Sequence, residues 1–222
     1  MMDRLIQIWG ESLPQLLAAT VATTIPLTII SFVIAMAIGV IAALVRFEHI
    51  VVLSQLSAIY VWVFRGTPLL VQLFIVFFGL PKIGIVFDAW PAAIIAVSLN
   101  AGAYNAEAIR AALVSVPEGQ WEAGRSLNLT HSQILWRVVA PQALRIALPP
   151  LSNNLIDLVK GTSLVSTITI ADLVMVSQQI AARTFEPLIL YTEVALIYLA
   201  INTVLTFVQS WLEKRTSRFV QS

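Results

Sequence analysis

From Ser12 to Val45 the chain carries no charged side chain. That run is longer than the roughly 20 residues needed to cross a hydrocarbon core. It is also far longer than the apolar region of a signal peptide, about 7–15 residues. The run predicts a first transmembrane helix at about 19–45, with the residues before it tilted or lying on the membrane surface. Pro26 falls in its outer part, where a membrane bundle tolerates a kink.

The rest of the chain has the same character. Of 222 residues, 59% are hydrophobic and 11% charged, and the mean hydropathy is +0.88. Soluble domains are about 45–50% apolar and about 25% charged. A soluble globular enzyme and a disordered chain are both excluded. The formal net charge of +1 implies no nucleic acid or other polyanion as partner. There is no cysteine, which removes disulfides, thiolate metal sites and a cysteine nucleophile. His49 and His131 are the only imidazoles, and neither has a ligand-spaced neighbour. No metal is expected.

Four more apolar stretches follow. The second runs from Ile50 to Leu80 and is interrupted by Arg65-Gly66-Thr67-Pro68. Its part from Leu69 to Leu80 is too short to span alone at about 1.5 Å per residue. The third covers about 89–113. The fourth begins after Pro149-Pro150 and carries Asn153, Asn154, Asp157 and Lys160. The fifth covers about 188–212, with Glu193 near its start. The expectation is an all-α membrane protein with five transmembrane helices in a single transmembrane domain, 1–222. With the N-terminus outside, the inner side holds Arg46, Arg110, Arg125, Arg137, Arg145, Lys214, Arg215 and Arg218. The outer side then holds Arg4, Lys82 and Arg183. The positive-inside rule therefore orients the chain N-out and C-in. There is no clear internal repeat, which argues against an inverted-repeat carrier.

The long polar connection, about 115–148, is then cytoplasmic and reads as two short helices. Ser115 and Glu118 have capping-box spacing, as do Thr130 and Gln133. Pro117 suits an early helical position. Asn128 can take the left-handed conformation that ends a helix. Pro141 is expected to interrupt the second helix. Trp121, Leu127, Ile134, Leu135 and Val138 supply an apolar side. Such a segment is either an amphipathic loop resting on the membrane or a platform for a soluble partner.

This segment resembles the cytoplasmic EAA loop of ATP-binding-cassette importer permeases. In that family the pattern is E-A-A, three residues, G, nine residues, I, one residue, L-P. Glu122, Ala123 and Pro141 match it. Gly124 stands for the second alanine, Asn128 for the glycine, Val138 for the isoleucine and Ala140 for the leucine. Four flanking segments occur in the same order in the polar amino acid permease subfamily. They are Arg65-Gly66-Thr67-Pro68-Leu69-Leu70, Ala103-Tyr104-Asn105-Ala106-Glu107, Pro141-Gln142-Ala143-Leu144-Arg145 and Lys160-Gly161-Thr162-Ser163-Leu164.

The resemblance implies a permease subunit of the cell (inner) membrane, not an enzyme, that moves a polar amino acid by alternating access. It implies a second permease half, identical or paralogous, and an extracytoplasmic solute-binding protein. It also implies a separate ATPase that carries the ATP and magnesium, so this chain would bind no cofactor. The absence of G-x-x-x-x-G-K-[ST] fits that division. The loop would act as a coupling helix through Glu122, Ala123, Gly124, Leu127, Asn128 and Pro141.

Ionisable groups at membrane depth face a bundle interior or a cavity. Asn100, Tyr104 and Glu107 share one helix face, and Asn154 and Gly161 share another. Arg65, Thr67, Glu107, Asn154, Gly161, Thr162 and Ser163 are the candidates for the solute path. Gly66-Thr67-Pro68 can break its helix and free backbone groups for a zwitterion. Each charge also has a plain structural reading. Asp157 can pair with Lys160, and Glu107 with Arg110 or Arg65. Some relatives carry acidic side chains at the positions of Asn154 and Gly161, which suits cationic amino acids. Both are neutral here, which points to a neutral or acidic solute. The competing function is a stand-alone channel or proton-coupled carrier with Glu107 and Asp157 as its relay.

Overall fold

The computed structural model describes residues 2–217, and among these all regular structure is helical. Arg218, counted above on the inner side, lies outside the described residues. Helix α1 (Met2–Ala19) passes through a π turn (Thr20–Thr24) into α2 (Ile25–Phe47). The first helix therefore starts near the N-terminus, not at 19. Its early turns are held because Ile8 and Leu16 are buried against Leu173, Ile180 and Leu190. The buried Ser12 hydroxyl also donates to the buried Glu193 carboxylate at 2.6 Å.

Helices α3 (Val51–Gly66) and α4 (Leu69–Phe74) meet at the expected break, where the chain turns by 108°. Pro68 cannot donate to the preceding turn and biases Thr67 toward an extended backbone, which it adopts at φ −122°, ψ 146°. Helix α5 (Ala89–Val114) follows the third apolar stretch closely.

The long polar connection forms α6 (Glu118–Ser126) and α7 (His131–Ile134). The Thr130–Gln133 capping box is present in both directions. The Ser115–Glu118 box is not. Ser115 instead ends α5, its hydroxyl donating to the Ala112 carbonyl, and Pro117 occupies the N-cap of α6. Pro141 does not interrupt the second helix either. A π turn (Leu135–Val139) widens the helix just before the proline, and α8 (Ala140–Gly161) carries on. Pro149 and Pro150 lie inside α8 and do not begin the span. Their φ is compatible with a helix, and Ala147 and Leu151 hold that turn in the buried core.

A short 3₁₀ segment (Thr162–Ile168) leads to α9 (Leu173–Thr184), a helix without a counterpart in the sequence reading. Asp172 caps it by accepting from the Met175 amide at 2.9 Å. Helix α10 (Pro187–Ser217) completes the chain.

Two helices, Gln7–Phe47 and Pro187–Arg215, are long and apolar enough to cross a membrane. Two bent pairs add one crossing each if each pair is one span. A count of five rests on including α5. That helix has 26 residues but carries Asn100, Asn105, Glu107 and Arg110.

The bundle is organised around α2 and α5. Ala35, Ala43, Ala92, Ala93, Ala96, Ala103 and Ala106 are fully buried. Small residues let two helix backbones approach closely in a membrane. At Gly39 an added Cβ would lie 2.7 Å from Asn105 Cβ, and at Gly102 it would lie 2.9 Å from Tyr60 Oη. Gly39→Val should therefore force the two helices apart and destabilise the protein by about 1–3 kcal/mol. Gly119→Ala, with nothing within 4 Å of its Cβ, should not. Thermal unfolding of the detergent-solubilised protein separates the two outcomes.

Candidate functional site: an exposed connecting helix and a cavity with polar walls

In the connection between α5 and α8, α6 presents one face and buries the other. Trp121 and Gly124 are buried, whereas Glu122, Ala123 and Leu127 are exposed. Gly124 is required by packing, since an added Cβ would lie 2.7 Å from Ile134 Cγ1. Asn128 adopts the left-handed conformation at φ 54°. The Asn128 amide donates to the Arg125 carbonyl at 2.9 Å, and the Leu129 amide to Gly124 at 3.1 Å. This pair of bonds closes a helix end in the manner of a Schellman motif, with asparagine at the position usually held by glycine. Leu127 was expected on the apolar underside. It is 75% exposed, because the closing turn directs it away from Ile134 and Leu135. Pro141 is exposed at the start of α8, and Gln142 beside it bonds Gln120 at 3.1 Å.

Between α4, α5 and α8, Leu69, Val97, Asn100, Ala101, Tyr104, Asn154, Asp157 and Leu158 line a half-open cavity of about 240 Å³, with Asp157 and Tyr104 at its exposed side. The break between α3 and α4 borders it and is closed by amide side chains. Gln72 Nε2 donates to the carbonyls of Phe64 at 3.0 Å and Thr67 at 3.1 Å. Gln72 Oε1 accepts from Asn100 Nδ2 at 3.0 Å. Carbonyls freed by a helix break in lipid cost several kcal/mol each unless satisfied. Gln72 meets that need. It was absent from the candidates, although a lone amide in the apolar run after Thr67 was a usable signal.

The seven path candidates divide. Asn154 lines the cavity and donates to the buried Asn105 at 3.0 Å. The Arg65 guanidinium lies 5.4 Å from the ring centre of Tyr104, a cavity residue. Thr67 supports the break, its hydroxyl donating to Val63 and accepting from Gln72 at 2.8 Å each. Gly161 gives α8 room beside Leu69, whose Cδ2 would be 3.2 Å from an added Cβ.

Of these four only Asn154 lines the cavity itself, and the other three candidates make their contacts elsewhere. Thr162 is fully buried, with its hydroxyl on the Val159 carbonyl, because the 3₁₀ turn directs it into the packing. Ser163 bonds back to Lys160 at 2.7 Å. Glu107 pairs with Arg110 and with Arg46 of α2 at 2.7 Å, not with Arg65. Two guanidinium groups hold it, and it is not among the residues that line the cavity, whereas Asp157 is. Asp157 pairs with Lys160 at 2.7 Å, as one of its two readings required, and also lines the cavity.

Residues 35–218 match the family of binding-protein-dependent transport system inner membrane components. The L-cystine transport system permease protein TcyB of Bacillus subtilis is 46% identical over 211 residues, covering 95% of this chain and 90% of that protein. The probable amino-acid ABC transporter permease protein PatM of Vibrio harveyi is 41% identical, covering 94% of each. A crystal structure of an amino acid ABC transporter with histidines superposes with a TM-score of 0.86 at 34% identity, covering 91% of this chain and 94% of that one. An inward-facing structure of the MetNI methionine ABC transporter shares the fold, with a TM-score of 0.77 at 21% identity, over 91% of this chain and 96% of that one. Members are multi-pass membrane transport subunits, not enzymes, and the nucleotide belongs to a partner ATPase. The chain belongs to the binding-protein-dependent transport system inner membrane components and is the permease subunit of an ATP-binding-cassette importer.

Proposed function

We propose that this permease moves a polar, neutral or acidic amino acid through the cavity bounded by Asn100, Tyr104, Asn154 and Asp157. The observation that carries this reading is the cavity itself, a half-open pocket with polar walls in an apolar bundle. Its volume of about 240 Å³ lies below the roughly 300–1,000 Å³ of pockets for drug-sized ligands, which suits a smaller solute. Relatives named for cystine, glutamine and arginine support an amino acid as the cargo. The neutrality of Asn154 and Gly161 favours a solute without a cationic side chain. Arg65, Thr67 and Gly161 shape the wall through Tyr104, Gln72 and Leu69.

The partners follow from the same reading. The exposed face of α6, with Glu122, Ala123 and Leu127, receives a groove of the ATPase subunit. A second permease half covers the polar stripe Asn153, Asp157 and Lys160, because lipid cannot solvate it. A solute-binding protein delivers cargo to the outer face. Closure of the ATPase dimer moves the coupling helices and alternates access to the cavity.

Three experiments test this. Asn154→Glu should shift competition for uptake in proteoliposomes from L-cystine and L-glutamine toward L-arginine by about 1–3 kcal/mol, the scale of a charge-assisted hydrogen bond. An unchanged profile in an assembled, ATP-hydrolysing complex would place selectivity in the binding protein. Ala123→Trp and Glu122→Lys should abolish solute-stimulated ATP hydrolysis while leaving membrane insertion intact. Surviving stimulation would disprove docking on α6. For topology, cysteines are unique wherever they are introduced. With five crossings and the N-terminus outside, Lys82→Cys should react with an impermeant external maleimide and Ser132→Cys should not. The reverse labelling would overturn the orientation.

A further inference from the structure

The coupling face of α6 is backed by four side chains that join it to the end of α2. Phe47 is the last residue of α2, and Glu48 closes that helix with its amide on the Leu44 carbonyl at 2.9 Å. The Phe47 ring lies 6.1 Å from the Trp121 ring, with 29° between their planes. On α7, the His131 ring lies 5.1 Å from the same indole, at 25°. The His131 Nε2–H donates to the Glu48 carboxylate, with Nε2 3.0 and 3.1 Å from its two oxygens. Trp121 is only 7% exposed, whereas Glu122 and Ala123 beside it are open.

We propose that Phe47, Glu48, Trp121 and His131 form a clamp that makes the coupling helix move as one body with the cytoplasmic end of α2. Stacked aromatic pairs resist sliding, and the His131–Glu48 hydrogen bond fixes their register. The Gly124–Ile134 contact and the Gln120–Gln142 hydrogen bond join α6 to α7 and to the helix that follows. The clamp adds the route to α2. From there the close packing at Gly39 leads to α5, which supplies Val97, Asn100, Ala101 and Tyr104 to the cavity. The four are positioning residues. They touch neither solute nor nucleotide, and they set how far a push on α6 is passed on rather than absorbed.

The inference rests on α6 being the docking site, and its test separates the two claims. The measured quantity is solute moved per ATP hydrolysed in proteoliposomes holding the full complex and binding protein. The cargo is a mixture of radiolabelled L-cystine, L-glutamine and L-glutamate. Glu48→Lys and His131→Glu each replace the attraction with repulsion or mismatch, and each should lower the ratio by about fivefold, the upper range for an exposed ion pair. The ATPase should still co-purify at the stoichiometry of the unaltered complex. The double variant Glu48→Lys/His131→Glu restores an ion pair and should recover the ratio. A permanent link is the second measurement. Cysteines at 48 and 131 remove the bond and should lower the ratio, and joining them by a short bis-maleimide should restore it, because a clamp does not open during the cycle. Unchanged ratios in the single variants, no recovery in the double variant, or no restoration on cross-linking would each overturn the clamp. If Ala123→Trp in the same preparation leaves ATPase binding and stimulation intact, the docking site itself is misplaced. If that variant loses both while the Glu48 and His131 variants transport normally, only the clamp falls.

Discussion

The close approach of α2 and α5 is the contact on which the remaining packing depends. It exists because Gly39 leaves room for Asn105 and Gly102 leaves room for Tyr60 and Ile38. Asn105 is fully buried and accepts from Asn154, so α8 joins the same unit. Tyr60 donates to the Leu99 carbonyl at 2.6 Å and brings α3 onto the opposite side of α5. Without the two glycines these hydrogen bonds would have no common frame. In lipid there is little hydrophobic gain from helix association, so close van der Waals contact and interhelical bonds must supply it.

The broken helix at Gly66–Pro68 shows the complementary problem. Irregular backbone at membrane depth survives only where it is buried in protein or faces a cavity. Here both hold, since Gln72 and Asn100 bond the freed carbonyls and the cavity opens beside them. The polar groups that look costly in the sequence thus fall into two kinds. Gln72 and Asn105 are consumed by the structure. Asn154 and Asp157 keep part of their surface toward the cavity.

Features governed by local chemistry were legible in the sequence. The third span ended within a residue of its expected limits, Asn128 took the left-handed turn, and the Thr130–Gln133 box formed. These depend on neighbours within one or two turns. The failures share a different cause. Proline positions suggested helix ends, but a π turn before Pro141 and packing around Pro149 and Pro150 absorbed them. Glu107 visibly needed a cation, yet its second partner, Arg46, comes from another helix at no readable spacing. The 3₁₀ turn that buries Thr162 likewise has no periodic signature. Helix α9 is short and depends on its Asp172 cap and on contacts with α1 and α10.

The unbroken helix Gln7–Phe47 has a mechanical consequence. At about 1.5 Å per residue its 41 residues extend for about 60 Å, roughly twice the hydrocarbon thickness. A rod of that length acts as a lever, and a 10° swing displaces one end by about 10 Å relative to the other. One end carries Phe47, and the far arm is tethered to α10 through Ser12 and Glu193. The π turn at Thr20–Thr24 lies between them, where a widened backbone can flex. The stiffness of those five residues therefore sets how much of a displacement at the Phe47 end arrives at the arm tethered to α10.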